Sequence, residues 1–149
     1  AHAVAAGRDR AGLRITVLAT PGHTADSVSF LLDDAVLTAD TVLGRGTTVI
    51  DDEDGSLRDY LESLQRLAGL GGRTVLPGHG PDLPDIGDVT ATYLAHRRER
   101  LDQVRQAVRV LGDDATARQI VEHVYTDVDD KLWDAAEKSV RAQLDYLRA

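Results

Sequence analysis

The amino-acid sequence predicts an α/β (α+β) chain, a layered β-β-β-α-β unit followed by three helices, and three observations predict it. Leu13 to Thr20 alternates apolar and polar positions, as a half-buried strand does. Leu57 to Leu70 repeats apolar residues at the 3.6-residue period of a helix packed on a core. Beyond Pro84 the pattern turns helical throughout, which divides the chain into residues 1–84 and a helical C-terminal domain, 85–149.

Ala1 to Gly12 has no clear period and reads as a loop or a tag remnant. In the first strand Leu13, Ile15, Val17 and Ala19 share a face, and Pro21-Gly22 ends it, because proline cannot donate to a ladder and glycine permits a sharp turn. Ser27 to Leu32 is a second strand, with Val28, Phe30 and Leu32 on one face. Asp33-Asp34 makes a tight turn into a third, Ala35 to Ala39. A loop from Thr41 to Gly46 precedes a short strand, Thr47 to Ile50, and an acidic turn, Asp51 to Gly55. Ser56 and Asp59 resemble a capping box for the helix 57–70, and Gly69, Gly71 and Gly72 stop it. Arg73 to Leu76 is a fourth, short strand. A loop to Asp88 leads to a long helix, Val89 to Leu111. Thr116 with Gln119 caps the next, and Leu132, Trp133, Ala136, Val140, Leu144 and Leu147 form the stripe of the last. These three helices have the look of a winged-helix variant without a wing.

Composition narrows the function. The 149 residues include no cysteine, which excludes disulfides, thiolate nucleophiles and Cys-ligated zinc, and fits a cytoplasmic protein. One Phe and one Trp leave the core to aliphatic residues and alanine. A net charge of −8 disfavours non-specific nucleic-acid binding, which depends on Lys and Arg. No apolar run is long enough to span a membrane.

Three phrases carry the chemistry. Val17-Leu18-Ala19-Thr20-Pro21-Gly22-His23, Val36-Leu37-Thr38-Ala39-Asp40 and Val75-Leu76-Pro77-Gly78-His79-Gly80-Pro81 are each an apolar run that stops on a metal-binding side chain. Each delivers one His or Asp to the loop past a strand, where a rigid scaffold places chemistry. Imidazole with carboxylate suits zinc or a related divalent ion. Taken singly, His23 after Pro-Gly reads as a polar turn residue and Asp40 as a turn or cap residue. His79 is more specific, since its flanking Gly and Pro fix one backbone pose. Thr24, Asp26 and Thr41 are either turn formers or outer partners of the ligands. His96 and Arg97 lie in His96-Arg97-Arg98-Glu99-Arg100, which is either a solvated helix face or a phosphate or carboxylate contact, Arg97 offering a bidentate donor. His123 reads as structural.

Thr20-Pro21-Gly22-His23-Thr24, Thr38-Ala39-Asp40-Thr41 and Pro77-Gly78-His79-Gly80 resemble, in type and order, the later metal-ligand motifs of the metallo-β-lactamase fold. Leu43-Gly44-Arg45-Gly46-Thr47-Thr48-Val49, Pro77 to Pro81, and Tyr93-Leu94-Ala95-His96-Arg97 with Arg100 and Gln103 are similar to the β-lactamase-like protein 2 branch, which has a helical, winged-helix-like tail. The resemblance implies part of an αββα sandwich in residues 1–84. It implies His23 on a first metal, Asp40 bridging two as the catalytic carboxylate, His79 on the second, and His96 and Arg97 at the substrate. The cofactor it implies is a pair of divalent ions, zinc above all, activating a hydroxide. The family's HxHxDH segment, which supplies the other ligands, does not precede His23, where His2 is the only earlier histidine. The chain therefore resembles the later half of such an enzyme, with an incomplete site and weak or no metal binding of its own. The expected parent is a metallo-hydrolase acting on single-stranded RNA phosphodiesters. A glyoxalase-II-like thioester hydrolase is the alternative, and a non-catalytic fragment or interaction module another. A half-sandwich exposes apolar sheet, so the expected partners are a second copy or the missing N-terminal half, besides an ester, thioester or RNA substrate, and no membrane.

Overall fold

In the computed structural model, which describes residues 3–8, 12–50, 53–126 and 129–149, five strands form one sheet. They are β1 (Ala3–Arg8), β2 (Arg14–Ala19), β3 (Val28–Leu31), β4 (Ala35–Ala39) and β5 (Thr74–Pro77), in that spatial order. The first four make an antiparallel meander, and β5 joins β4 in parallel after the crossover helix α1 (Leu57–Ala68). Three helices follow: α2 (Ile86–Leu111), α3 (Ala117–Val124) and α4 (Trp133–Arg148), the last entered through a 3-10 turn at Asp130–Leu132.

The stretch read as a loop before Gly12 contains an edge strand instead. β1 pairs with β2 in the register Ala5↔Val17, Ala6↔Thr16 and Gly7↔Ile15. Ladder hydrogen bonds are made by backbone, so an Ala- and Gly-rich strand without alternation pairs as well as an alternating one. Residues 1, 2 and 9–11 lie outside the described set, as do 51–52 of the acidic turn and 127–128 before the last helix.

The expected inward faces of β2 and β3 are reversed. Leu18 and Ser29, cross-strand partners, are buried with Val36 and Val75 under α1 and α2, whereas Phe30 is 38% exposed. Val17, Phe30, Leu37 and Leu76 pair in sequence across the other face, where Phe30 and Leu37 are exposed among the described residues. A sheet with apolar residues on both faces gives no single alternation to read. Thr47 to Ile50, expected as a strand, is irregular backbone, yet Thr48 and Ile50 are buried in the core. Ile50 packs in the cluster that holds Tyr60 of α1 and Val36 and Val75 of the sheet.

Two buried clusters meet along α2. One holds Val36, Val42, Ile50, Tyr60, Leu64, Val75, Ile86, Leu94 and Leu101. The other joins Val104 and Ala107 to Ile120, Val121, Val140 and Leu144 of α3 and α4. Thr116 and Gln119 make the expected reciprocal capping box. Among the described residues no helix is long and apolar enough to cross a membrane.

α2 begins three residues earlier than the sequence pattern suggests, because Asp85 caps it. The Asp85 carboxylate accepts from the backbone N–H groups of Gly72 (2.8 Å), Gly87 (2.7 Å) and Asp88 (3.3 Å), and these bonds, that from Gly72 foremost, hold its pKa below the ordinary aspartate value. A depressed folded-state pKa contributes stability that is complete above the unfolded value, about 4, and is lost as pH falls through the folded one. Thermal unfolding from pH 7 to pH 2 will therefore show Asp85→Asn less stable than the parent at neutral pH, with the gap closing in acid. Parallel curves would remove this role from Asp85.

Candidate metal centre

Each candidate ligand stands on a turn locked to a neighbouring element. Past β2, the carbonyl of Pro21 accepts from Ser63 Oγ at 2.7 Å and that of Gly22 from the Ser56 backbone N–H at 3.0 Å, fastening the turn onto the start of α1. Gly22 has φ +138, and a methyl group built on it would lie 2.3 Å from Tyr60 Cα, so only glycine fits between turn and helix. His23 follows directly. β4 ends at Ala39, whose φ of +45 is a left-handed conformation rare outside glycine, and the ladder to β5 shifts register there. Such a residue is held by its surroundings. The Ala39 carbonyl accepts from Gly78 N–H at 2.9 Å, and the Asp40 carbonyl accepts from Thr48 Oγ1 at 2.9 Å. Past β5, the His79 carbonyl accepts from Gly44 N–H at 2.8 Å.

These three turns converge. His23 Nε2 lies 4.0 Å from Asp40 Oδ2 and His79 Nε2 lies 3.5 Å from Asp40 Oδ1, so each carboxylate oxygen faces a different imidazole. Asp40 Oδ1 is buried with no hydrogen-bond partner. His23 Nδ1 is 2.7 Å from the Val49 carbonyl. A carbonyl only accepts, so Nδ1 carries a proton, and in the neutral ring Nε2, aimed at Asp40, carries the lone pair. The His79 side chain is 77% exposed against 30% for His23, which puts the mouth of the site on the His79 side. Among the described residues no three His, Asp or Glu groups enclose one ion position. An anion with an unpartnered oxygen, flanked by two imidazoles, fits a carboxylate shared by two cations, with each cation needing further donors.

The other candidates lie on α2. His96 is half-buried with Nδ1 buried and unpartnered; burial, then the nearby Arg100 and Arg97 charges, lowers its pKa and keeps it neutral at physiological pH. Arg97 is 6% exposed, donates to the Thr48 carbonyl and lies 5.0 Å over the Tyr60 ring. It reaches the centre from beneath, through the loop 41–50. Thr24 bonds Asp26 (2.8 Å) and Ser27, and Thr41 bonds Thr20, so these polar groups shape the loops.

Sequence reasoning passed over three supports. The Val49 carbonyl orients His23, and a backbone acceptor has no side-chain signature. Tyr60 Oη donates to the Thr41 carbonyl at 2.8 Å, and Tyr93 Oη accepts from Leu43 N–H at 3.1 Å while lying 3.0 Å from the Leu43 carbonyl. Burial raises the pKa of both phenols, so both stay protonated. Their places in helical stripes marked them only as core.

Comparison with known proteins agrees with this architecture. Residues 6–79 match the sequence model of the metallo-beta-lactamase superfamily, and residues 116–149 that of the beta-lactamase associated winged helix domain. The chain is 36% identical over 120 residues to a beta-lactamase-like protein 2 homolog of Caenorhabditis elegans, covering 78% of this chain and 38% of that protein. It is 33% identical over 126 residues to an atrochrysone carboxyl ACP thioesterase of Aspergillus fumigatus, covering 76% and 39%. The solved structure of a metallo-beta-lactamase family protein from Thermus thermophilus superposes with a TM-score of 0.79 at 28% identity, over 99% of this chain and 48% of that one. The chain thus spans about two fifths of the length of these curated relatives. With both segments matched and the fold shared over its whole length, this chain belongs to the metallo-beta-lactamase superfamily.

Proposed function

We propose that this chain forms part of a metallo-hydrolase that cleaves phosphodiesters of single-stranded RNA. The observation that carries the reading is Asp40, whose two oxygens face His23 and His79 separately while Oδ1 has no hydrogen-bond partner. On this reading His23, Asp40 and His79 would together hold two divalent cations, with Asp40 shared between them. Nitrogen and carboxylate donors favour zinc, and an HxHxDH-type segment supplies the remaining ligands. Bound there, two such cations supply Lewis acidity and acidify water enough to give a nucleophile at neutral pH. The chain's own groups do the positioning: one Asp40 anion faces both cations, and the Val49 carbonyl keeps the His23 ring in the Nδ1–H tautomer. The sheet face of Val17, Phe30 and Leu37 is where the other half of the sandwich packs.

Arg45 favours an anionic substrate. It is exposed, on the loop whose Gly44 N–H bonds the His79 carbonyl. A guanidinium at that lip pairs with the anionic scissile phosphodiester, whereas the scissile group of a thioester is uncharged. The thioester reading rests on the relative named a thioesterase. A polypeptide carrying this chain behind an HxHxDH segment, supplied with zinc, separates the two. We expect cleavage of a single-stranded RNA oligonucleotide, with Arg45→Ala raising its KM about tenfold, the loss of one charge-assisted hydrogen bond. Thioester turnover with the RNA left intact would sink the phosphodiester reading.

A further inference from the structure

We infer that Arg97 is a positioning residue for the metal centre: it holds the Thr48 carbonyl and so fixes the backbone leading into Val49, whose own carbonyl sets the tautomer and orientation of His23. This rests on the reading of His23 and Asp40 as metal ligands.

The argument starts from a buried charge. A guanidinium remains protonated in any protein environment, and removing it from water costs several kcal/mol unless its donors are met. Arg97 is 6% exposed, and no carboxylate pairs with it in the described structure. Its partners are the Thr48 carbonyl and the face of Tyr60, with Nε unmatched. For packing alone, an apolar residue of similar volume would serve as well in this core. What the guanidinium does that an apolar side chain does not is hold one peptide group.

Thr48 and the residue after it reach both candidate ligands. Thr48 Oγ1 donates to the Asp40 carbonyl at 2.9 Å and lies 3.3 Å from the Thr41 carbonyl. One residue on, the Val49 carbonyl takes the proton of His23 Nδ1. Residues 47–50 belong to no strand, so no ladder fixes the direction of these carbonyls. Arg97 and Thr48's own hydroxyl replace the missing ladder. Tyr60 braces the arrangement from the other side, its ring under the guanidinium and its hydroxyl on the Thr41 carbonyl. If the Thr48 carbonyl is released and the Val49 backbone turns with it, His23 loses its acceptor, and the ring is free to carry its proton on Nε2, the atom that must be bare to bind a cation.

The test reads the tautomer directly. The 149-residue chain labelled with 15N-histidine is compared with Arg97→Met at a pH where imidazoles are neutral, with circular dichroism as the check on folding. The parent is expected to show His23 as a single Nδ1–H tautomer. Folded Arg97→Met is expected to show a mixture shifted toward Nε2–H, with His79 unchanged, and zinc titration followed at His23 should weaken about 10- to 100-fold, the range for losing the outer partner of a ligating histidine. Arg97→Lys keeps the charge and loses the fork, and should restore the parent pattern in part. If Arg97→Met does not fold, Arg97→Lys decides: a shifted His23 supports the proposal, and an unshifted one overturns it. An unchanged His23 tautomer in folded Arg97→Met overturns it as well. Zinc that leaves the parent's His23 and His79 signals unmoved refutes the ligand reading instead, and the tautomer comparison, which uses no metal, is separate from that result.

Discussion

Asp40→Asn, in a polypeptide carrying this chain behind an HxHxDH segment, is expected to lower kcat/KM for metal-dependent hydrolysis about a thousandfold or more and to remove bound metal. The substitution keeps the shape of the side chain and takes away its charge. A carboxylate shared by two cations would offset their mutual repulsion, and metal-centred stabilisation is worth several kcal/mol, with each step of about 1.4 kcal/mol a factor of ten. Stability should move little. The carboxylate oxygen Oδ1 has no hydrogen-bond partner, and the bond from Thr48 goes to the Asp40 backbone carbonyl, which the variant retains. Metal analysis and steady-state kinetics of the purified variant check both halves. Unchanged activity at unchanged metal content would take Asp40 out of the centre.

Gly22→Ala should do the reverse, damaging the fold before the chemistry. Its φ of +138 excludes an L side chain, and the added methyl would sit 2.3 Å from Tyr60 Cα and 2.5 Å from the Tyr60 backbone nitrogen. Those are main-chain atoms of α1, so no rotamer change relieves the overlap. Strain and clash together should cost about 3 kcal/mol or more, lowering Tm by roughly 10 °C for a chain of this size. Gly46→Ala is the internal control. It shares a positive φ, +78, but nothing lies within 4 Å, so its penalty is the backbone term alone, about 1 kcal/mol. Equal Tm values for the two variants would mean that the turn at Gly22 slides away from α1.

Much of the centre was legible because its ligands punctuate apolar runs. His23, Asp40 and His79 each follow a strand, and β2, β4 and β5 run in the same direction, so their C-terminal ends fall on one edge of the sheet. Three apolar runs ending in ligands therefore place them together whatever the details of register. The supports were less legible. Val49 acts through its carbonyl, and Arg97, which the sequence offers as a substrate contact or a solvated charge, is buried and set apart from the exposed Arg98. The strand faces were misread for a physical reason: Val17 and Leu18 are both apolar, and only packing of the helices on Leu18, Ser29 and Val36 distinguishes the two sides. β1 escaped detection because its pairing is a matter of backbone alone.

α2 runs unbroken for 26 residues, about 39 Å of rod at 1.5 Å per residue. Ile86, Leu94 and Leu101 belong to one buried cluster and Val104 and Ala107 to the next, and from Asp88 to Leu111 the helix contains neither glycine nor proline. The sheet layer and the helical tail thus share a spine with no hinge in it. Thermal melting of one cluster frays the helix that the other is built on, so the two should unfold as one cooperative unit, with the slowest amide exchange in the chain along the middle turns of α2.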